Sequence, residues 1–288
     1  MRLCDVPLAS QLPRRAPHCC LQLARVMDKL DLSRKMKRLT AWLDTQNQPD
    51  GLAGRRFHGV PFADAYVTID PERQSPYASA NLNRVHLCGL EAGMSADGLK
   101  RLIAFFGDPG VQRFFVWLSP GPDMDKARGL LDQAGFSRIH WTGYPTLCRE
   151  RPTPAHFRTD LDIRQVGPDD IAASSEQLGE TLWPEYVTSA GKDGFFHYMA
   201  FDGARPVAIA ALCIFEDVGY LMAAATTEGD RKRGAQQALI ATRVGRAEQL
   251  GCAVLVSETL YMLEHSYRNL QRAGFEEVYE KEVYEWNA

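Results

Sequence analysis

The sequence has no long apolar run, no excess of positive charge and no cysteine spacing typical of a metal site. None of its hydrophobic segments approaches the ~20 residues that cross a bilayer, so we expect no membrane partner. A formal net charge of −3 argues against binding to nucleic acid, whose phosphates require clustered cations. The seven cysteines are scattered and form no C-x-x-C pair, which is typical of reduced thiols inside the cell. We therefore expect a cytoplasmic protein without a bound metal.

The N-terminal residues lack the apolar segment of a secretory signal. Residues 1–22 are rich in proline and arginine, and we expect either a disordered tail or a spurious start, with Met27 as the working initiator. The remaining chain is long enough for one large domain or two smaller ones. Its 45% hydrophobic content suffices for a core.

An internal repeat is the clearest organising signal. KARGLLDQAGFSRI (126–139) and SYRNLQRAGFEEV (266–278) each read as a helix that ends in Ala-Gly-Phe and leads into an extended segment. Gly135 and Gly274 stand where a helix C-terminus favours a left-handed residue. A short apolar strand and an amphipathic helix precede each copy.

This repeat predicts a duplicated α/β fold with mixed α+β character. Each unit is a central mixed or antiparallel sheet flanked by helices. We predict the units at 23–150 and 160–288, joined by a polar, proline-containing stretch at 149–160. The second unit is the more complete, with the predicted order β-α-β-β-β-α-β-α-β.

A cluster of cations precedes one helix of the second unit. In GDRKRGAQQALI (229–240), Arg231, Lys232 and Arg233 stand directly before Gly234. The first amide groups of a helix have no partner within it, and the helix dipole adds positive charge there. Glycine lets a ligand approach that backbone closely, so the segment suits a diphosphate. The alternative is a solvated, charged turn.

The order of elements around this segment resembles the GNAT superfamily of N-acetyltransferases. Three hairpin strands precede it, and a long helix, an apolar strand, a helix and Gly-Phe follow. The motif R-K-R-G-A-Q is similar to the family's Q/R-x-x-G-x-G/A, except that Gln236 stands where glycine or alanine is usual. The resemblance covers about 161–288, whereas the first unit is similar in fold only and is expected to be a degenerate GNAT-like domain without a cofactor site.

The resemblance implies acetyl-CoA as co-substrate and no metal. The pantetheine arm would pair with the end of the strand that precedes the cationic turn, like an added β-strand. A backbone amide near Thr226 would then stabilise the oxyanion. The residues expected to bind the cofactor are Ala224, Ala225, Thr226, Arg231, Lys232, Arg233, Gly234, Ala235, Gln236 and Asn269.

Acetyl transfer to an amine needs an acid for the leaving thiolate and a base for the amine. Many members of the family have a tyrosine four residues before the glycine of Gly-Phe, but here that residue is Leu270. Tyr267, one helical turn upstream, is the candidate acid, and the alternative is that it serves only in packing. Glu258, at the end of an apolar strand, is the candidate base, although a glutamate there is often simply solvated.

We therefore expect an acyltransferase that acetylates a primary amine on a small molecule or peptide. Two alternatives stay open: a non-catalytic CoA-binding regulator, which the leucine at 270 favours, and an interaction module that binds no CoA. A homodimer is compatible with the sequence.

Overall fold

The computed structural model describes residues 28–46, 57–58, 66–69, 71, 83–88, 95–139, 143–150 and 157–288. The predicted tail at 1–22 lies outside these ranges. Among the residues described, no helix is both long and apolar enough to span a membrane.

The elements follow the chain in alternating groups of helices and strands. The α-helices are α1 (Lys29–Gln46), α2 (Ala96–Gly107), α3 (Met124–Gln133), α4 (Pro168–Ala173), α5 (Ser175–Leu178), α6 (Pro184–Thr188), α7 (Ala235–Gln249) and α8 (Glu264–Arg272). The strands are β1 (Phe57–His58), β2 (Tyr66–Thr68), β3 (Arg84–Cys88), β4 (Arg113–Ser119), β5 (Ser137–Arg138), β6 (Tyr144–Arg149), β7 (Asp162–Val166), β8 (Phe195–Asp202), β9 (Arg205–Phe215), β10 (Val218–Thr226), β11 (Val254–Glu258) and β12 (Glu276–Asn287).

These strands form one mixed sheet in the order β1-β2-β3-β4-β12-β6-β11-β10-β9-β8-β7, with β5 added beside β12. Two neighbouring pairs are parallel, β3 with β4 and β10 with β11. Each parallel pair is followed by a helix and a further strand, as the repeat predicts. The predicted α/β fold with two similar units in tandem is confirmed.

The two units exchange their last strands. β6 ends the first unit, yet it pairs with β11 of the second. β12 ends the second unit, and its residues 282–287 pair with β4 of the first, while its residues 276–281 pair with β6. Each parallel pair is therefore flanked by a strand from the opposite half of the chain.

Helix α1 also packs across the predicted boundary. Its buried face, which includes Leu32, Met36 and Leu39, joins a cluster with residues of β9, β10 and β11. At its end Trp42 stacks on Phe195 with ring centroids 5.3 Å apart. The division into 23–150 and 160–288 stays a prediction, but packing and strand pairing both cross it.

Helices α7 and α8 cover the opposite face of the part of the sheet formed by β8 to β11. Leu239 and Val244 of α7 and Leu270 of α8 are buried in a cluster with alternate residues of β8 to β11. Residues of β10 thus alternate between the α7 face and the face covered by α1 and by α4 to α6. This alternation decides which candidate side chains can meet.

Candidate functional site

Strands β10 and β11 part after a short parallel stretch. Their pairing runs from Val218 opposite Val254 to Leu221 opposite Ser257. β10 then continues to Thr226 along β9. Beyond β11, in contrast, the amides of residues 259 and 261 donate to carbonyl oxygens of residues 145 and 143, beside β6. The chain therefore turns away from β10 and leaves the edge of residues 222–226 open.

A β-bulge lies at this open edge. Met222 pairs with Ala211 and Ala225 with Ile209, so that two residues of β10 oppose one residue of β9. Ala223 has a φ of 47°, a left-handed conformation that costs a non-glycine residue about 1 kcal/mol. A bulge turns backbone groups out of the ladder. Here it changes the direction of the amides that the sequence predicts for the cofactor.

Helix α7 begins directly beside the end of β10. Its N-cap, Gly234, is left-handed with a φ of 81° and offers no side-chain cap. A Cβ atom here would stand 2.9 Å from the carbonyl oxygen of Arg158. The protein's own packing therefore requires glycine at position 234. The predicted glycine is in place, but its function as a cofactor contact stays a prediction.

The three cations before α7 have different surroundings. Arg231 and Lys232 are exposed, and no ion pair holds them within the described part of the chain. Arg233 instead contacts three carboxylates, Asp160 at 2.6 Å, Asp202 at 2.8 Å and Asp230 at 3.1 Å.

This cluster lowers the pKa of each of the three carboxyl groups. Arg233 is the first cause for Asp160 and Asp202, through its hydrogen bonds, and Arg205 is the first cause for Asp230. The geometry assigns Arg233 to the cluster and leaves two cations facing solvent.

Gln236 connects α7 to β10. Its Nε2 donates to the carbonyl oxygen of Ala225 at 2.8 Å and to Oγ1 of Thr226 at 3.0 Å. The glutamine that departs from the family motif thus fixes the strand end, and it occupies space that a glycine would leave free. A ligand that follows β10 must pass beside this side chain or displace it.

Helix α8 adds a polar surface next to the start of α7, on which Arg268 forms an ion pair with Glu264 at 2.9 Å. Asn269 accepts from Nε2 of Gln237 at 3.4 Å, and so the two helices are linked. An open cavity of about 450 Å³ lies along α8 and is lined by Met262, Glu264, His265, Arg268, Asn269 and Arg272. The predicted contact residue Asn269 therefore lies between the N-terminus of α7 and this cavity.

Glu258 is buried in an ion pair. One of its carboxylate oxygens lies 2.6 Å from Nζ of Lys281, and both side chains are almost fully buried. Thr146 of β6 donates to the same oxygen at 2.8 Å. The hydroxyl of Tyr220 lies 3.4 Å from the other oxygen, and burial together with the charge of Glu258 raises the pKa of Tyr220 well above its usual value.

Tyr267 lies on the other side of the sheet from Glu258. It packs against the cluster beneath α7 and α8, whereas the Glu258 side chain contacts Tyr220 on the α1 face. The Tyr267 hydroxyl donates to Glu277 at 2.7 Å, and this hydrogen bond raises the pKa of Tyr267. The structure does not bring the two predicted catalytic residues together.

Two residues at the site carried no signal in the sequence. Lys281, within the alternating last strand, resembles any solvated lysine. Arg243 looks like an exposed residue of an amphipathic helix, yet it is 1% exposed. Burial lowers the pKa of Arg243 to about 9. Its position in α7 beneath the bulge could be found only from the three-dimensional structure.

No group of histidine, cysteine, aspartate and glutamate side chains suited to a metal ion was found in the described portion of the chain.

Comparison with solved structures identifies the fold. Over 91% of this chain and 96% of the other, the structure is similar to a GCN5-related N-acetyltransferase from Kribbella flavida, with a TM-score of 0.62 and 13% identity. A GCN5-related N-acetyltransferase from Sphaerobacter thermophilus matches 77% of this chain and 80% of its own, with a TM-score of 0.55 and 15% identity. A tandem GNAT protein from the clavulanic acid biosynthesis pathway matches 88% and 96%, with a TM-score of 0.50 and 11% identity.

No family model matches the sequence, and no curated protein matches it in sequence. At sequence identities this low, the similarity to these structures shows a shared fold. The chain has the GNAT fold in a tandem arrangement.

Proposed function

We propose that the protein is an acetyl-CoA-dependent N-acetyltransferase whose second unit carries the site. The observation that carries this proposal is the parted pair of β10 and β11 next to the uncapped start of α7. An open strand edge suits an extended amide chain, and a helix N-terminus suits a diphosphate. The two features are neighbours: Gln236, in the first turn of α7, donates a hydrogen bond to the carbonyl oxygen of Ala225 at the end of β10.

The residues fit acetyl-CoA in three places. Arg231 and Lys232 are exposed beside the α7 amides and would contact the diphosphate. Asn269 and Arg272, which line the cavity on α8, suit a further phosphate group. Residues 224–226 would pair with the pantetheine amides. The pairing requires Gln236 to stay beside the strand end or to exchange its hydrogen bonds with the ligand.

The proposed reaction is direct transfer to a primary amine on a small molecule or peptide. The amine nitrogen attacks the thioester carbonyl carbon, a C–N bond forms and the C–S bond breaks. The nitrogen releases one proton and the leaving thiolate takes one up. Backbone amides at the bulged edge would stabilise the developing oxyanion. Glu258, at the end of β11, would accept the amine proton once its ion pair with Lys281 has opened. Cytoplasmic location and a homodimer belong to the same proposal.

A second candidate is a CoA-binding protein without catalysis. Leu270 is 4% exposed and packs in the core where many GNAT enzymes have a tyrosine. The hydroxyl of Tyr267 is directed at Glu277 and is therefore not free to protonate a thiolate. This arrangement favours binding without turnover.

Release of CoA thiol in the presence of a panel of amines tests the proposal. We expect acetyl-CoA hydrolysis to be slow and thiol release to rise at least tenfold with the correct amine class. Binding of acetyl-CoA without amine-dependent thiol release would favour the regulator. An absence of binding would leave an interaction module.

A further inference from the structure

Arg243 lies beneath the bulge in β10 and has no described acidic partner. Its Nη1 donates to the carbonyl oxygens of Ala211 at 3.1 Å and Met222 at 3.2 Å, and its Nε donates to the carbonyl oxygen of Leu239 in its own helix at 3.1 Å. In the described part of the chain no carboxylate forms an ion pair with it. The side chain that fills this space therefore binds backbone rather than a counter-ion.

The two strand carbonyl groups that it binds belong to one pair of residues. Met222 and Ala211 are the last regular partners before the bulge, and Ala223 follows directly with its left-handed φ. A strained backbone of this kind persists only where its surroundings hold it. Because Nη1 of Arg243 contacts both strands at the residue where the register shifts, it is the group best placed to hold this conformation.

We propose that Arg243 is a positioning residue that fixes the β10 bulge and thereby directs the amides of residues 223–226 toward the open edge. The guanidinium, buried between α7 and the sheet, supplies the hydrogen bonds that the ladder loses at the bulge. The effect on the reaction rests on the proposed function, whereas the effect on the bulge does not.

The position of the charge adds to this function. A buried guanidinium without an acidic partner retains its positive field. This field lies beneath the strand edge at which the thioester oxygen becomes negative in the proposed reaction. Arg243 would therefore act through the strand amides that it positions, without touching the substrate.

The test combines Arg243→Met and Arg243→Lys with Ala223→Gly. Amide hydrogen exchange of residues 220–227 reports on the bulge, and kcat at saturating acetyl-CoA reports on the reaction. We expect Arg243→Met to increase exchange in 220–227 at least tenfold and to lower kcat between about tenfold and a hundredfold. Arg243→Lys, whose ammonium can reach the carbonyl groups without the forked geometry, should show a smaller change in the same direction.

Adding Ala223→Gly to Arg243→Met shows whether Arg243 positions the bulge or only fills space in the core. Glycine adopts a positive φ without steric cost, so it should restore part of the protection and part of kcat to Arg243→Met. Arg246→Met is the matched control, because Arg246 lies on the same helix but packs on Phe196 with its guanidinium carbon 4.9 Å from the ring centroid. It should leave the exchange of 220–227 unchanged.

Three outcomes would overturn the inference. They are unchanged exchange at 220–227 in Arg243→Lys and Arg243→Met, an equal effect of Arg246→Met, and no rescue by Ala223→Gly. If Arg243→Met does not fold, Arg243→Lys alone and with Ala223→Gly decides the result. If the wild-type protein transfers no acetyl group, the proposed function fails, and the exchange measurements still decide whether Arg243 holds the bulge.

Discussion

Individual side chains at this site have functions that their residue type does not reveal. Arg233 and Arg231 lie two residues apart in one turn, yet Arg233 contacts three aspartates and Arg231 is exposed. The aspartates come from residues 160, 202 and 230, which the chain brings together only in the folded sheet. The sequence therefore identified a cationic turn correctly but could not separate structural cations from free ones.

The surroundings of Glu258 likewise could not be predicted from its residue type. The sequence placed it at the end of a strand beside the opening, and the structure agrees. Its partner Lys281 follows much later in the chain and reaches it because β12 and β11 both pair with β6. A buried charge without its partner is costly, whereas a buried pair is close to neutral in net stability.

We therefore expect a strong coupling between Glu258 and Lys281. Lys281→Met should lower the free energy of unfolding by about 3 kcal/mol, because the carboxylate is left buried without its cation. The double variant Glu258→Leu with Lys281→Met should recover most of this loss. Urea unfolding of the two single variants and the double variant measures the coupling. Additive losses would contradict a buried, mutually dependent pair.

At the scale of elements, the sequence predicted the second unit well. The apolar runs 195–201 and 204–215, joined by a turn at 202–203, predict two strands that correspond to the observed β8 and β9. The glycine before the amphipathic run at 234 marks the observed start of α7. The sequence over 168–182 predicts one helix, whereas the structure has two short helices and a 3-10 turn. Gly179, with a φ of 48°, stands where the second helix ends.

Sequence patterns do not predict the bulge in β10. Three successive alanines indicated only that small side chains were needed there. Which of them would take a positive φ depends on the register with β9 and on Arg243 from another element. The same reasoning applies to Gln236, whose hydrogen bonds to Ala225 and Thr226 are consequences of helix and strand placement.

The cluster of Arg233 with Asp160, Asp202 and Asp230 should lose stability in acid. The pKa values of these three carboxyl groups lie below that of aspartate in an unfolded chain, about 3.9. The stabilisation from these groups is therefore present above about pH 4 and is lost as the pH falls through the lower folded values. We expect Arg233→Gln to lower the Tm at pH 7 by a few degrees, and this difference from wild type to shrink as the pH falls below about 4.

Thermal unfolding of both proteins across this pH range measures the effect. Arg164→Gln is a suitable control, because the one carboxylate that Arg164 contacts among the residues described is Asp162, at 2.6 Å on the exposed edge of the sheet. A Tm difference between Arg233→Gln and wild type that is independent of pH would contradict the cluster as its source.

At the scale of the whole molecule, the exchange of strands decides how the two units depend on each other. A repeat in the sequence predicts two units but not which copy of a strand pairs with which unit, since each copy ends in a similar extended segment after its Gly-Phe. The observed exchange gives β11 its neighbour from the first unit and β4 its neighbour from the second.

This arrangement predicts that the halves fold together. A fragment of residues 157–288 lacks β6 and α1, so that β11 and the apolar cluster beneath α1 are exposed. We expect this fragment, and a fragment of residues 1–150, to aggregate or remain unfolded when each is produced alone. Co-expression should yield a soluble complex of one copy each, detected by light scattering and circular dichroism. Two independently folded, soluble fragments would show that the exchange is not required.

The central claim, that the start of α7 binds the diphosphate of acetyl-CoA, is tested most directly by isothermal titration. Gly234 is a poor probe, since any side chain there meets Arg158. The informative variant is Arg231→Gln with Lys232→Gln, whose side chains are exposed. Its matched control is Lys100→Gln with Arg101→Gln, an exposed pair in α2 of the first unit. We predict that wild type and control bind with equal affinity and that the α7 variant binds about tenfold more weakly. Equal affinity in all three proteins, or no binding by the wild type, would contradict the account.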